Sequence, residues 1–270
     1  TKENVETISL EAFQANTSIP LEKGAYGYAL ASQSFADSRF LAALLKNGLG
    51  VRYNTVPITN SGKRWESGSL FILKGDNLKD EEYTSLLQKL AESHQRELYP
   101  IQTGYSDKGP DLGADELVLI KAPKIAVLKS DNTSSYRYGE VWHFFEQQLV
   151  YPLIQINENR LQRMLSEIDV LIIPGGRYQK WSNSNSQEKI TEWILKGGKI
   201  IALSSALNLF ANTDSFALKK KENPTQDTTS IPFSELERNK ISEITTGSIF
   251  NASIDRSHSL AFGVNRYYTL

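Results

Sequence analysis

The clearest chemical signature in this chain is the run Ala202-Leu203-Ser204-Ser205-Ala206, which follows the apolar stretch "GGKIIAL". Alanines two before and two after Ser204 leave the steric room that a nucleophile needs at a sharp strand-to-helix turn. A serine hydroxyl is nearly inert without a positioned base. The chain offers His94, His143 and His258, and of these His258 is the candidate partner. It stands in "DRSHSLAFG", where Asp255 or the backbone can hold its ring; the alternative is a structural histidine that fastens this last turn. The chain contains no cysteine, which excludes thiolate catalysis, disulfides and cysteine-zinc sites. His94 to Glu97 ("HQRE") has the His-x-x-Glu spacing of a zinc site, where two side chains meet on one metal. It ends a charged amphipathic helix with no neighbouring third ligand, so it reads as a solvated helix end and no metal residue is assigned.

A second motif points to the same place as Ser204. "DVLIIPGG" ends in Pro174-Gly175-Gly176, and without Cβ atoms these glycines let backbone N–H groups approach a ligand closely. The plainer alternative is that Gly175-Gly176 and Gly197-Gly198 simply turn the chain. Tyr136, Arg137, Tyr138, Arg177, Tyr178 and Trp181 fall in the loops expected nearby. Aromatics and arginines on one rim favour a carboxylate, a sugar or a peptide chain, although surface loops also carry such residues without function. Trp142, Phe145 and Leu149, by contrast, have helical spacing and read as core packing.

These side chains need elements that hold them. From Lys124 the pattern alternates strand (124–129), helix (138–150), strand (152–157), helix (158–168), strand (169–176), helix (186–198) and strand (199–205). This is a doubly wound, mostly parallel α/β pattern. Ligands of such sheets lie at the strand C-termini, which groups 130–138, 174–178 and 204–208 on one rim. Upstream, "GYALAS", "FADSRFLAALLKNG" and "LGVRYNTVPI" read as strand, helix and strand with parallel pairing. "GSLFILKG", "KDEEYTSLLQKLAESHQR" and "LYPIQTG" continue the alternation, and "TGYSDKGPDLGADE" reads as an exposed loop. The expected organisation is a linker or surface arm over 1–23, a smaller α/β domain over 24–120, and a larger one over 121–270. Residues 212–239 read as a long loop or insertion. "FGVNRYYTL" looks like the start of a strand, so the second domain is expected to be truncated at its C-terminus.

Composition narrows the class further. The 270 residues are 40% hydrophobic and 23% charged, an ordinary globular mixture that argues against disorder. A formal net charge of -1 gives no general attraction to nucleic acid. No run approaches the ~20 apolar residues of a membrane span, and the polar start is not a signal peptide.

Several segments together resemble the C-terminal region of bacterial zinc carboxypeptidases of the carboxypeptidase A type, in which a class I glutamine-amidotransferase-like module follows the peptidase domain. They are "YALASQSFADSRFLAALLKNGLGVRY", "GSLFILKGDN", "TGYSDKGPDLGADELVLIKAPKIAVL", "YGEVWHFFEQQLVYP", "DVLIIPGG" and "DRSHSLAFG". The resemblance implies a flavodoxin-like, amidotransferase-like fold with the usual catalytic cysteine replaced at the Ser204 turn. It also implies a periplasmic or secreted parent enzyme with a catalytic zinc, whose ligands would precede Thr1, so no cofactor is expected in these residues. The implied role is that of a non-catalytic accessory region, structural or substrate-presenting, partnered by the peptidase domain of the same chain. Two alternatives stay open: a serine hydrolase or acyltransferase using Ser204 and His258, and a peptide- or glycan-binding module. One departure stands out, since Ser259 follows His258 where the family pattern has proline.

Overall fold

The computed structural model describes residues 20–22, 24–77, 82–178, 181, 184–220, 232, 235, 249–255, 258–261 and 267–269. The chain divides into two compact units, Thr1–Ala122 with Arg256–Val264, and Pro123–Asp255 with Asn265–Leu270. Most of the expected N-terminal arm and much of 212–239 lie outside the described residues, as do 262–266 of the closing stretch.

In the first unit, Gly27–Leu30 (β1), Arg52–Asn54 (β2), Leu70–Leu73 (β5), Tyr99–Ile101 (β6) and Leu117–Leu119 (β7) form a sheet ordered β6-β1-β5-β2-β7. Its paired strands are antiparallel, which corrects the expected parallel layer. The helix Phe35–Lys46 (α1) does carry the chain from β1 to a strand of the same direction. However, β5 is inserted between the two and runs opposite to both. The expected single strand over "LGVRYNTVPI" is also broken, because the chain turns at Thr55-Val56-Pro57 and starts a separate hairpin, Ile58–Asn60 (β3) with Lys63–Trp65 (β4). Ser61 and Gly62, at φ of 52° and 77°, make the two-residue turn that matches strand twist.

Strand β5 is buried along its whole length because both sheet faces are covered. Leu70 and Ile72 face Phe40 and Leu44 of α1 and Leu87 of the helix Tyr83–Ser93 (α2). Phe71 and Leu73 face the other core with Ile58, Trp65 and Leu112. Helix α1 begins in a capping box, with Asp37 N–H donating to Ser34 Oγ at 3.3 Å and Ser34 N–H donating to Asp37 Oδ2 at 2.9 Å.

The second unit is built on a parallel sheet of Ile125–Lys129 (β8), Leu153–Asn157 (β9), Val170–Ile173 (β10) and Lys199–Ala202 (β11), ordered β11-β10-β8-β9. Counted within the unit this is 2-1-3-4, the order of flavodoxin-like sheets. A further antiparallel pair, Phe250–Ala252 (β12) with Tyr267–Thr269 (β13), belongs to the same unit. Helix Ser135–His143 (α3) passes into a π-helical turn, Phe144–Leu149, that stops at Val150 in a left-handed conformation, φ 56°. The expected 158–168 helix is a single α-turn, Leu161–Met164 (α4), flanked by 3-10 turns. Helix Ser184–Leu195 (α5) precedes β11.

One core joins these elements: Ala126 and Leu128 of β8, Leu171 and Ile173 of β10, Leu161, Ile190, Trp193 and Phe210. Gly198 lies directly beneath Trp193, where a Cβ would fall 2.3 Å from the indole, and Gly197 turns at φ 103°. That glycine pair is therefore a packing and turning device.

Candidate functional site

In a flavodoxin-like order the sheet reverses direction of growth between its first and third strands, here β8 and β10, and the ends of the strands splay apart there. A crevice of about 1030 Å³ opens at that point. Three chain segments form it: the polar run after β8, the Pro-Gly-Gly loop after β10, and the turn after β11.

The β11 turn carries the strain. Leu203 N–H donates to Ile173 O at 2.9 Å, the last ladder bond, and Ser204 then turns back at φ 53° to open the 3-10 helix Ser204–Leu209. A non-glycine residue in that region costs roughly 1–3 kcal/mol and persists only where its surroundings hold it. The turn is thus shaped like a nucleophile elbow, with the serine exposed at its apex.

The β10 loop is held against the β8 loop by backbone pairing. Ser134 N–H donates to Gly175 O at 3.0 Å and Arg177 N–H to Asn132 O at 3.1 Å, bridging Thr133 and Gly176. A Cβ on Gly176 would fall 2.8 Å from Thr133 Cα and 2.9 Å from Asn132 O, so this approach requires glycine. Gly175 sits where Arg137, Ser204 and Ser205 converge, each with a side-chain atom 3.4 Å from the place its Cβ would occupy. Gly176 N–H is already engaged, donating to Ser205 Oγ at 3.0 Å. Beneath the loop, Ser130 N–H donates to Thr133 Oγ1 at 2.8 Å, and Ser134 caps α3.

The expected rim splits in two. Gly175, Gly176, Arg137, Arg177, Tyr178 and Ser204 all line the crevice. Tyr178 does so from a buried position: its hydroxyl donates to Pro174 O at 2.7 Å, and burial is the main reason its pKa is raised. Trp181 is the clear correction. It is only 4% exposed and packs edge-on to Phe210, ring centroids 5.5 Å apart, because an indole there completes the apolar core behind the loop. Tyr136 is 84% exposed and lies outside the crevice lining. Tyr138 turns inward with its hydroxyl buried and without a partner, and burial raises its pKa. Lys129 Nζ lies 5.8 Å from its ring centroid.

His258 is grouped with the first unit and Ser204 with the second. The histidine is exposed, and its Nδ1 accepts a bond from Leu260 N–H at 3.2 Å. His94 caps the end of α2, half-buried rather than solvated, 5.9 Å from the Phe40 ring; burial, then Arg39 and Arg96, lower its pKa. Among the described residues no group of three or more His, Cys, Asp or Glu is arranged to hold a metal. Thr133, Ser134, Ser205 and Asn208, within the expected rim segments but not among the expected site residues, also line the crevice. The available signal was the polar run "SDNTSS" directly after a buried strand.

Chemically, the lining offers hydroxyls, amides and two guanidiniums, and among the described residues that form it Asp131 is the one carboxylate and none is a histidine or lysine. That set can bind and orient a polar anion. Compared with protein-family models, curated proteins and solved structures, the chain finds no match in any of the three.

Proposed function

We propose that the second unit is an amidotransferase-like module that binds a ligand without hydrolysing it, and that it serves as an accessory region of a secreted zinc carboxypeptidase. In this reading it packs against the peptidase domain or presents substrate to it. The observation that carries the reading is the elbow itself: Ser204 keeps the strained turn, φ 53°, beside Gly175-Gly176, yet among the described residues that line the crevice none is a histidine. The loop N–H groups add support, because those of Gly176 and Arg177 are spent on Ser205 Oγ and Asn132 O rather than held ready for an oxyanion. The link to a carboxypeptidase rests on the sequence resemblance alone. The described residues do not fit a zinc site, so no step of this proposal runs through a metal.

A serine hydrolase is the second reading, favoured by the strained φ of Ser204. One experiment separates the two. The full chain is assayed on an activated ester, on L-glutamine and on a C-terminal peptide substrate, with and without zinc, beside Ser204→Ala. The expected result is no turnover above the Ser204→Ala background. Ester turnover that Ser204→Ala abolishes would establish the hydrolase instead, and zinc-dependent peptide turnover by this chain would sink the accessory role.

A further inference from the structure

We infer that the crevice of the second unit is a carboxylate site for the C-terminal end of a peptide, clamped by Arg137 and Arg177. This rests on reading that unit as a non-hydrolytic binding module and names what it binds. The aromatics and arginines of the rim left a carboxylate, a sugar and a peptide chain open, and the positions of the aromatics bear on that choice. Sugar recognition wants an exposed ring face against which a pyranose can stack. Trp181 is in the core, Tyr178 is 3% exposed, and Tyr136 stands outside the lining. Among the described residues, then, no exposed ring face lines the crevice, while both guanidinium-bearing residues do.

Charge and room set the ligand more closely. Among the described residues the lining sets Arg137 and Arg177 against the single carboxylate of Asp131, a balance that favours an anionic ligand group. Arg137 Nη1 is paired with Glu140 at 3.2 Å, but both side chains are more than half exposed, so that bond is worth little and exchanges readily for a ligand. Arg137 Cγ lies 3.4 Å from the Cβ position of Gly175, as do Ser204 Cβ and Ser205 Oγ, so the guanidinium stem and two hydroxyl-bearing residues surround one glycine. A carboxylate seated there meets charged donors from Arg137 and hydroxyls from the β11 turn. The space, about 1030 Å³, is at the upper end of small-ligand sites and holds several residues of chain behind the carboxylate.

The test is calorimetric titration of the full chain, at low salt, with N-acetyl-trialanine as the free acid, its C-terminal amide, inorganic phosphate and galacturonate. The acid is expected to bind, with the amide weaker by about tenfold or more, since a charge-assisted bidentate bond is lost. Arg177→Met and Arg137→Met are each expected to weaken the acid by a similar factor. Gly175→Ala, which puts a methyl among Arg137, Ser204 and Ser205 without meeting backbone, should weaken it with the fold intact. The inference is overturned if the acid shows no binding at about millimolar concentration, or if acid and amide bind alike. It is equally overturned if neither arginine variant has an effect, or if phosphate or galacturonate binds as tightly as the acid. Ester turnover abolished by Ser204→Ala would refute the non-hydrolytic reading and leave an acid-amide difference standing. Loss of that difference without turnover refutes the carboxylate alone.

Discussion

Gly176→Ala is the sharpest probe of how the crevice is built. The new methyl would sit 2.8 Å from Thr133 Cα and 2.9 Å from Asn132 O, and both are backbone atoms that cannot rotate away. Relief requires the β10 loop to move off the β8 loop, which stretches the bonds Ser134 N–H to Gly175 O and Arg177 N–H to Asn132 O, now 3.0 and 3.1 Å. Overpacking of this kind costs about 1–3 kcal/mol, and each strained backbone bond adds about 0.5–1 kcal/mol. A total of about 2–5 kcal/mol lowers the melting temperature of a unit this size by roughly 8–20 °C. Gly175→Ala is the internal control, because its methyl meets only side-chain atoms at 3.4 Å and should cost under about 1 kcal/mol. Thermal melts of both variants by circular dichroism decide the matter. If Gly176→Ala melts within a couple of degrees of the parent, or if both variants fall equally, the close loop pairing described here is wrong.

Two further perturbations test other parts of the structure. Ser204→Gly should stabilise the chain by roughly 0.5–1 kcal/mol, because relief of the left-handed strain exceeds the added entropy of the unfolded glycine; a lower melting temperature would show that Ser204 is held by contacts rather than tolerated. Burial pushes the Asp37 carboxyl up, but bonds from Gln33 N–H, from Ser34 and from Arg96 outweigh it, so its pKa falls below the ordinary 3.8. A lowered carboxyl pKa stabilises the fold above the unfolded value, and that contribution disappears as pH falls through the folded value. Asp37→Asn should therefore cost about 1–3 kcal/mol near neutral pH and flatten the acid limb of stability against pH in urea titrations. An unchanged acid limb would remove Asp37 as its source.

The second unit was legible in the sequence because each of its strands is a buried apolar run ended by turn chemistry, and parallel crossovers leave few arrangements for such a series. Its crevice was legible for the same reason, since the ends of β8, β10 and β11 must meet wherever the sheet order reverses. The first unit was harder. The run from β1 through α1 to β2 has the same local pattern whether the two strands pair directly or accept β5 between them, and that choice is made by burial on both faces of β5, which no local window contains. Trp181 failed for a related reason. A tryptophan in a polar loop, "RYQKWSNSNS", looks like a binding side chain until Phe210, from a different segment, supplies the apolar neighbour that draws it inward. Arg137 and Arg177 met no such partner, since a guanidinium keeps its charge and pays heavily for burial. The charged half of a predicted rim is thus the half that a sequence can be trusted to leave at the surface, and it is the half on which the carboxylate inference stands.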